Sequence, residues 1–308
     1  MIDLHTHSRF SDGSDDPADL AAAAAALGLS AIALTDHDTT ASHGEMAATC
    51  AQLNLELITG VEVSLKDSEV TRINQDGEPV ASSVHVLCYF LSTEPTSALQ
   101  RQLATLREDR DRRNRALVEL LNELGFTSLN LEYLVGLAGN VDSIGRPHFA
   151  RAMFELHPEI VGERNDDTWS RIFVDWLGQS GKAYLAKSEM TIEQFVAAGA
   201  DEAVVFSIAH PLVNYVAGGS LDDVARVMPK VLGSLRDRGV KGAEAYYGGS
   251  DAPTRALMVK LTRDAAMIPT GGSDYHGTYK ADVKLGRGRA NELIVPDEVL
   301  VELKNARG

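Results

Sequence analysis

The chain has 308 residues, 44% hydrophobic and 24% charged, enough for one large α/β domain carrying an insertion or for two ordinary domains, and this balance excludes wholesale disorder. A formal net charge of −15 argues against long-range attraction to duplex nucleic acid, so any recognition of phosphate must be local. With no basic flank leading into an apolar signal run, no stretch of about 18 apolar residues, and Cys50 and Cys88 as the only cysteines, the sequence reads as a cytoplasmic protein with two buried thiols and no membrane partner.

The opening "IDLHTH" alternates as a strand, with His5 and His7 on one face. Asp16 and Pro17 start a helix, an Ala-rich run carries it to Leu27, and Gly28 suits a left-handed stop. "SAIALTDHD" is a second strand ending in polar residues, followed by a helix around Ser42 to Leu53 and then the strand runs "LELITGVEV" and "SVHVLCYF". "QDGEP" between those two runs predicts a hairpin turn near Asp76 and Gly77, and with it a flap beside any site at Glu62.

From about Thr96 to Ser188 the signals become helical, most clearly in "LQRQLATLREDRDRRNRALVELLNELGF", which Gly125 can close. Its arginines at 107, 110, 112, 113 and 115 alternate with Glu108, Asp109 and Asp111, the pattern of a solvated, internally paired face rather than of a nucleic-acid strip. Three further strands follow in "AVVFSIAHP", "GAEAYY" and "AMIPTGGSDYH". Seven strands alternating with helices predict a parallel sheet closed as a barrel, an open doubly wound sheet being the alternative that sequence does not separate.

Every one of these strand runs except "GAEAYY" ends in, or is followed by, His, Asp or Glu: His5 and His7, His37, Glu62, His85, His210, then Asp274 and His276. In a parallel α/β fold the carboxyl ends of the strands share one rim, so these scattered residues should converge. An HxH pair alone is equally well a pair of core histidines, but six of the nine histidines occupy these positions, joined by three carboxylates once Asp12 is counted. Imidazole with carboxylate and without thiolate is the donor set of an open, catalytic zinc, manganese or iron site rather than of a closed structural zinc. Asp36 and Asp38, flanking His37, are candidates for orienting the imidazoles or for capping a helix, and Ser273 with Gly271 and Gly272 for shaping the turn before Asp274.

The ordered motifs HxH, SDG, TDH, GxE, an isolated His, AHP and GSDxH resemble those of the PHP (polymerase and histidinol phosphatase) family of metal-dependent phosphoesterases, relatives of the amidohydrolases, over Met1 to about Leu91 and again over Val204 to Gly286. The resemblance implies a distorted (β/α)7 barrel from 1–95 and 189–308, with an inserted helical lobe at 96–188 covering the active site. It further implies three divalent ions (manganese, iron or zinc, with magnesium also compatible). His5, His7, Glu62 and Asp274 would hold the first, Glu62 with His85 and His210 the second, and Asp12, His37 and His276 the third.

Three divalent ions against three carboxylates leave roughly three positive charges, so an acidic protein can bind phosphate without a basic surface. The implied reaction is hydrolysis by a metal-bridging hydroxide held by Glu62, Asp274 and His210, with the ions offsetting charge on the phosphoryl oxygens. In the inserted lobe "GRPHFA" and "GKAYLAKS" supply Arg146, His148 and Lys187, which the resemblance makes substrate-phosphate contacts; Lys182 has a weaker claim, and Pro147 at a first helical position is the bland alternative. The expected substrate is a small phosphomonoester, foremost a nucleotide such as a 3′,5′-bisphosphonucleotide. A diesterase on a cyclic phosphate or on short single-stranded RNA from its 5′ end, a histidinol phosphatase and a non-catalytic metal-binding regulatory module are the rivals, and the full set of ligand positions weighs against the last.

Overall fold

The computed structural model describes residues 1–73, 79–139, 143–178, 181–185 and 190–307. Strands β1 (Ile2–Thr6), β2 (Ala31–Leu34), β3 (Glu56–Ile73), β4 (Pro79–Tyr89), β5 (Val205–Ile208), β6 (Gly242–Tyr247) and β7 (Ile268–Gly272) form one sheet in chain order. Between β7 and β1 the sheet all but closes: Asp274 N–H donates to His5 O at 2.9 Å and His7 N–H to Tyr275 O at 3.0 Å. Gly272 permits that approach, because a Cβ there would lie 2.4 Å from His5 N. The architecture is a distorted (β/α)7 barrel.

Helices α1 (Pro17–Ala26) and α2 (His43–Leu53) cover the first strands, with α1 starting on Pro17 as predicted and stopping before Gly28 at φ +73°. The sheet is not wholly parallel. β4 returns antiparallel to β3 and pairs antiparallel with β5, while the remaining neighbours run parallel. The turn expected near Asp76 and Gly77 lies outside the described residues; on either side of it the ladder pairs Ile73 with Pro79.

Helices α3 (Ala98–Glu123), α4 (Leu131–Ala138), α5 (Arg146–Leu156), α6 (Pro158–Val161) and α7 (Asp166–Ile172) lie between β4 and β5, and α7 runs into a π-helical turn, Phe173–Leu177. After them come α8 (Ile192–Ala198), α9 (Pro211–Tyr215), α10 (Leu221–Asp237), α11 (Ala252–Asp264), a 3-10 turn at Gly277–Lys280 and α12 (Asp297–Ala306). The buried residues of α3 recur at three- and four-residue intervals, Leu99, Leu103, Leu106, Arg110, Asn114, Leu117 and Leu121, one continuous stripe. Its first three leucines join the apolar cluster of β3, β4 and α8, whereas Leu117 and Leu121 join a separate cluster built around Phe126, Phe149 and Met153. Arg110 and Asn114 fall where the stripe passes between the two. Among the described residues no helix is long and apolar enough to cross a membrane.

Candidate metal centre and phosphate wall

Nine side chains scattered over 272 positions, from His5 to His276, meet at one mouth of the barrel. Four of their atoms surround a common point: His5 Nε2 and His7 Nε2 are 3.1 Å apart, Glu62 Oε2 lies 3.3 and 3.1 Å from them, and Asp274 Oδ1 lies 3.6 and 3.7 Å away. Donors held about 2.1 Å from a tetrahedral ion sit about 3.4 Å from one another, so these edges fit a divalent metal. The other oxygen of Glu62, Oε1, is 2.8 Å from His85 Nδ1 and 2.9 Å from His210 Nε2, which places the carboxylate across two groups of donors. Asp12 completes a third group, with Oδ2 3.5 Å from His37 Nε2 and Oδ1 3.3 Å from His276 Nε2.

One atom points to what this cluster is built to hold. Asp12 Oδ1 is buried without a hydrogen-bond partner among the described residues, a costly state for a carboxylate oxygen that an ion would relieve. Six imidazoles with three carboxylates suit zinc, manganese or iron, so the residues present fit divalent metals. His85 reaches the rim from mid-strand, opposite Ser64, because β4 runs back past the mouth.

The ligand geometry is imposed from behind by carboxylates. Glu244, buried on β6, accepts from His5 Nδ1 at 2.9 Å and from the His210 backbone N–H at 2.7 Å; the first bond keeps the His5 proton on Nδ1 and turns the Nε2 lone pair to the centre. His276 Nδ1 likewise donates to the Asp274 carbonyl at 2.8 Å, freeing Nε2 toward Asp12. Asp36 accepts from the N–H of Ser8 and from the hydroxyls of Ser8, Ser11 and Ser42, so it fastens the loop that carries Asp12 rather than any imidazole. Asp3 does the same at the seam, accepting from the N–H and hydroxyl of Ser273 and from the N–H groups of His5 and Gly286. His210, Asp274 and Asp38 all sit at positive φ, +31°, +59° and +57°, an unfavourable backbone held at the strand ends by this surrounding network.

The charges are poised by their neighbours. Burial raises Glu62 and Asp12, but the imidazoles around each outweigh it and hold both well below the usual carboxylate range. His7 is pushed down to about 3 by burial and by His276. His5 is driven the other way: burial lowers it, yet Glu244, Glu62 and Asp274 together raise it well above the ordinary value.

Facing this rim across a cavity of about 240 Å³ stands a wall of guanidiniums, Arg110, Arg113 and Arg146. Arg107, Arg110 and Arg113 recur every three residues and so share one face of α3: Arg107 donates to the Asp38 carbonyl at 2.8 Å, and Arg110 pairs with the Asp38 carboxylate. Burial and the like charges of Arg110 and Arg146 push Arg113 down to about 10. The expectation of a fully solvated arginine strip therefore holds for the exposed Arg112, paired with Asp109, and fails for Arg110 and Arg113.

Arg146 lines the cavity at the start of α5, with Pro147 beside it in the first helical turn. His148 is 2% exposed behind it, its Nδ1 accepting from the Gly145 N–H at 3.1 Å as a helix cap, and it is not among the lining residues. Lys187 lies outside the described residues. Lys182 is turned away onto the Trp176 ring. His43 and His157 are buried and bonded to backbone, as core histidines. Sequence reasoning missed Lys280, which lines the cavity with its Nζ 2.7 Å from Asp274 Oδ2, and it missed Glu244, whose signal was a lone acid inside the apolar run "GAEAYY".

The PHP domain family model matches residues 3–178. A 5′-3′ exoribonuclease of Haemophilus influenzae is 30% identical over 282 residues, covering 89% of this chain and 89% of that protein. A 3′,5′-nucleoside bisphosphate phosphatase of Chromobacterium violaceum is 26% identical, with 89% of this chain and 87% of that one covered. A crystal structure from Bifidobacterium adolescentis, provisionally described as a metal-dependent phosphoesterase, superposes with a TM-score of 0.76 at 26% identity over 99% of this chain and 96% of its own. Clustered donors at the barrel mouth, the barrel itself and these likenesses agree: the chain belongs to the PHP domain family of metal-dependent phosphoesterases.

Proposed function

We propose that the chain hydrolyses the phosphomonoester of a nucleotide, with a 3′,5′-bisphosphonucleotide as the substrate the site fits best. The observation that carries this reading is the opposition of two charged walls across one cavity, a His and carboxylate rim suited to cations and the Arg110, Arg113 and Arg146 face suited to an anion. A substrate with two phosphates can place the scissile one at the rim and the other on the guanidiniums, whose planar forks match phosphate oxygens.

In this reading three divalent ions are held by His5, His7, Asp12, His37, Glu62, His85, His210, Asp274 and His276, with Glu62 shared between two of them. When bound, such ions polarise the phosphoryl group and supply a water acidic enough to attack at neutral pH. The chain's own residues fix the geometry. Glu244 holds the His5 proton away from the centre, Asp36 and Asp3 pin the loops, and the arginines orient the ester while residues 96–188 act as a lobe over it. A small phosphorylated metabolite is thus the partner.

A second reading, stepwise removal of nucleotides from the 5′ end of short RNA, is favoured by the larger cavity that continues beyond the first, of about 750 Å³. Product analysis separates the two: a 3′,5′-bisphosphonucleotide should be dephosphorylated rapidly and a labelled oligomer left intact. Steady release of mononucleotides from the oligomer would establish the diesterase instead.

A further inference from the structure

The cavity above the rim, at about 240 Å³, falls short of the roughly 300–1,000 Å³ that ligand pockets usually offer, so it has room for a sugar and its phosphates but not for the base as well. The neighbouring cavity of about 750 Å³ shares Trp169, Phe173, Tyr279 and Lys280 with it. The passage between the two is therefore walled by aromatic rings, all three of them partly exposed.

Two of these rings are arranged as a platform. The indole of Trp169 on α7 and the phenol ring of Tyr279 on the 3-10 turn have planes 11° apart and centroids 6.2 Å apart, although one belongs to the inserted helices and the other to the barrel. Trp169 is backed by Phe154, stacked at 24° and 6.1 Å, and flanked edge-on by Phe173, the first residue of the π-helical turn. The Tyr279 ring is flanked by His148. Such bracing fixes ring orientation in advance, and π-turns recur at functional sites. The exposed Arg164 stacks its guanidinium 4.5 Å over Trp169, so this ring position takes a planar group from solvent, and a base seated there would replace the guanidinium.

We propose that Trp169 and Tyr279 form a base-stacking subsite that holds the nucleobase of the substrate while its phosphate lies at the rim. This deepens the nucleotide reading above and rests on it. The planar stack accepts purines and pyrimidines alike, because every base has a π-face; Arg164 and Asn165 line the outer cavity where the base edge would emerge. The subsite thus selects for a base over a base-free sugar phosphate.

The test is steady-state kinetics of the metal-loaded enzyme on a 3′,5′-bisphosphonucleotide and on ribose 5-phosphate, for wild type, Trp169→Ala and Trp169→Phe. Loss of one base stack predicts a KM for the nucleotide raised about 5- to 150-fold in Trp169→Ala, with little change in kcat, an unchanged KM for ribose 5-phosphate, and recovery in Trp169→Phe. The chain has two tryptophans, so in a Trp176→Phe background adenosine 5′-phosphate should quench Trp169 fluorescence and inorganic phosphate should not. Equal KM increases on both substrates, or no increase with the nucleotide, overturn the subsite, as does fluorescence blind to the nucleotide. A wild type that hydrolyses ribose 5-phosphate but no nucleotide overturns the nucleotide reading instead.

Discussion

On the barrel side of the central cavity imidazoles are tied to buried acceptors, His5 to the Glu244 carboxylate and His276 to the Asp274 carbonyl, whereas on the helical side three guanidiniums crowd one another beside Asp38. The first arrangement spends its hydrogen bonds on fixing direction. The second leaves positive charge in want of a counter-ion, as the lowered Arg113 shows. A site that brings cations to one wall and an anion to the other needs rigidity only where bond angles matter, and a metal demands them more strictly than a phosphate does.

The strongest way to break this contrast is Asp274→Asn, which keeps the size of the side chain and removes the charge facing His5 and His7. Activity should fall by about 10³-fold, the several kcal/mol a metal contributes to the transition state, with circular dichroism unchanged. Undiminished turnover at normal metal content would remove the rim from the chemistry.

Arg146→Ala attacks the opposite wall. It should lower kcat/KM by about 10²-fold while metal content, read by elemental analysis, stays at the wild-type level. Loss of metal in this variant would show that the two walls are not separate devices.

Glu244→Gln sharpens the comparison from behind the rim. Its amide can present an N–H to His5 Nδ1, which disturbs the tautomer, so metal affinity measured by chelator competition should weaken by roughly 10- to 100-fold. The smallest effect belongs to Arg112→Ala, one residue from Arg113 but pointing to solvent beside Asp109. Stability should move by less than about 0.5 kcal/mol, and turnover not at all.

Much of the rim was legible because metal ligands at strand ends follow a simple rule of parallel sheets, and His5, His7, His37, His210, Asp274 and His276 obey it, whereas Glu62, expected at a strand end, reaches the rim from the middle of β3, which runs on to Ile73. His85 converges by a different route, the antiparallel return of β4, which only the hairpin signal "QDGEP" ahead of that strand announces. Glu244 was hidden because it lies within an apolar strand, where a buried acid gains meaning only from the imidazole opposite. The arginines of α3 were misread for a physical reason as well: alternating charges describe a helix seen alone, while their three-residue spacing matters only once a wall stands across from them. Had the leucine stripe been followed through Arg110 and Asn114, those two would have stood out as polar residues on the buried face.

Helix α3 carries one more implication. At 26 residues, about 39 Å, it is a single strut whose leading leucines are embedded in the barrel core and whose trailing ones are embedded among helices α4, α5 and α7. Swinging those helices open as a lid would bend the strut or withdraw leucines at about 2 kcal/mol apiece. Substrate should accordingly come and go past small gating movements of side chains, and turnover should be insensitive to solvent viscosity.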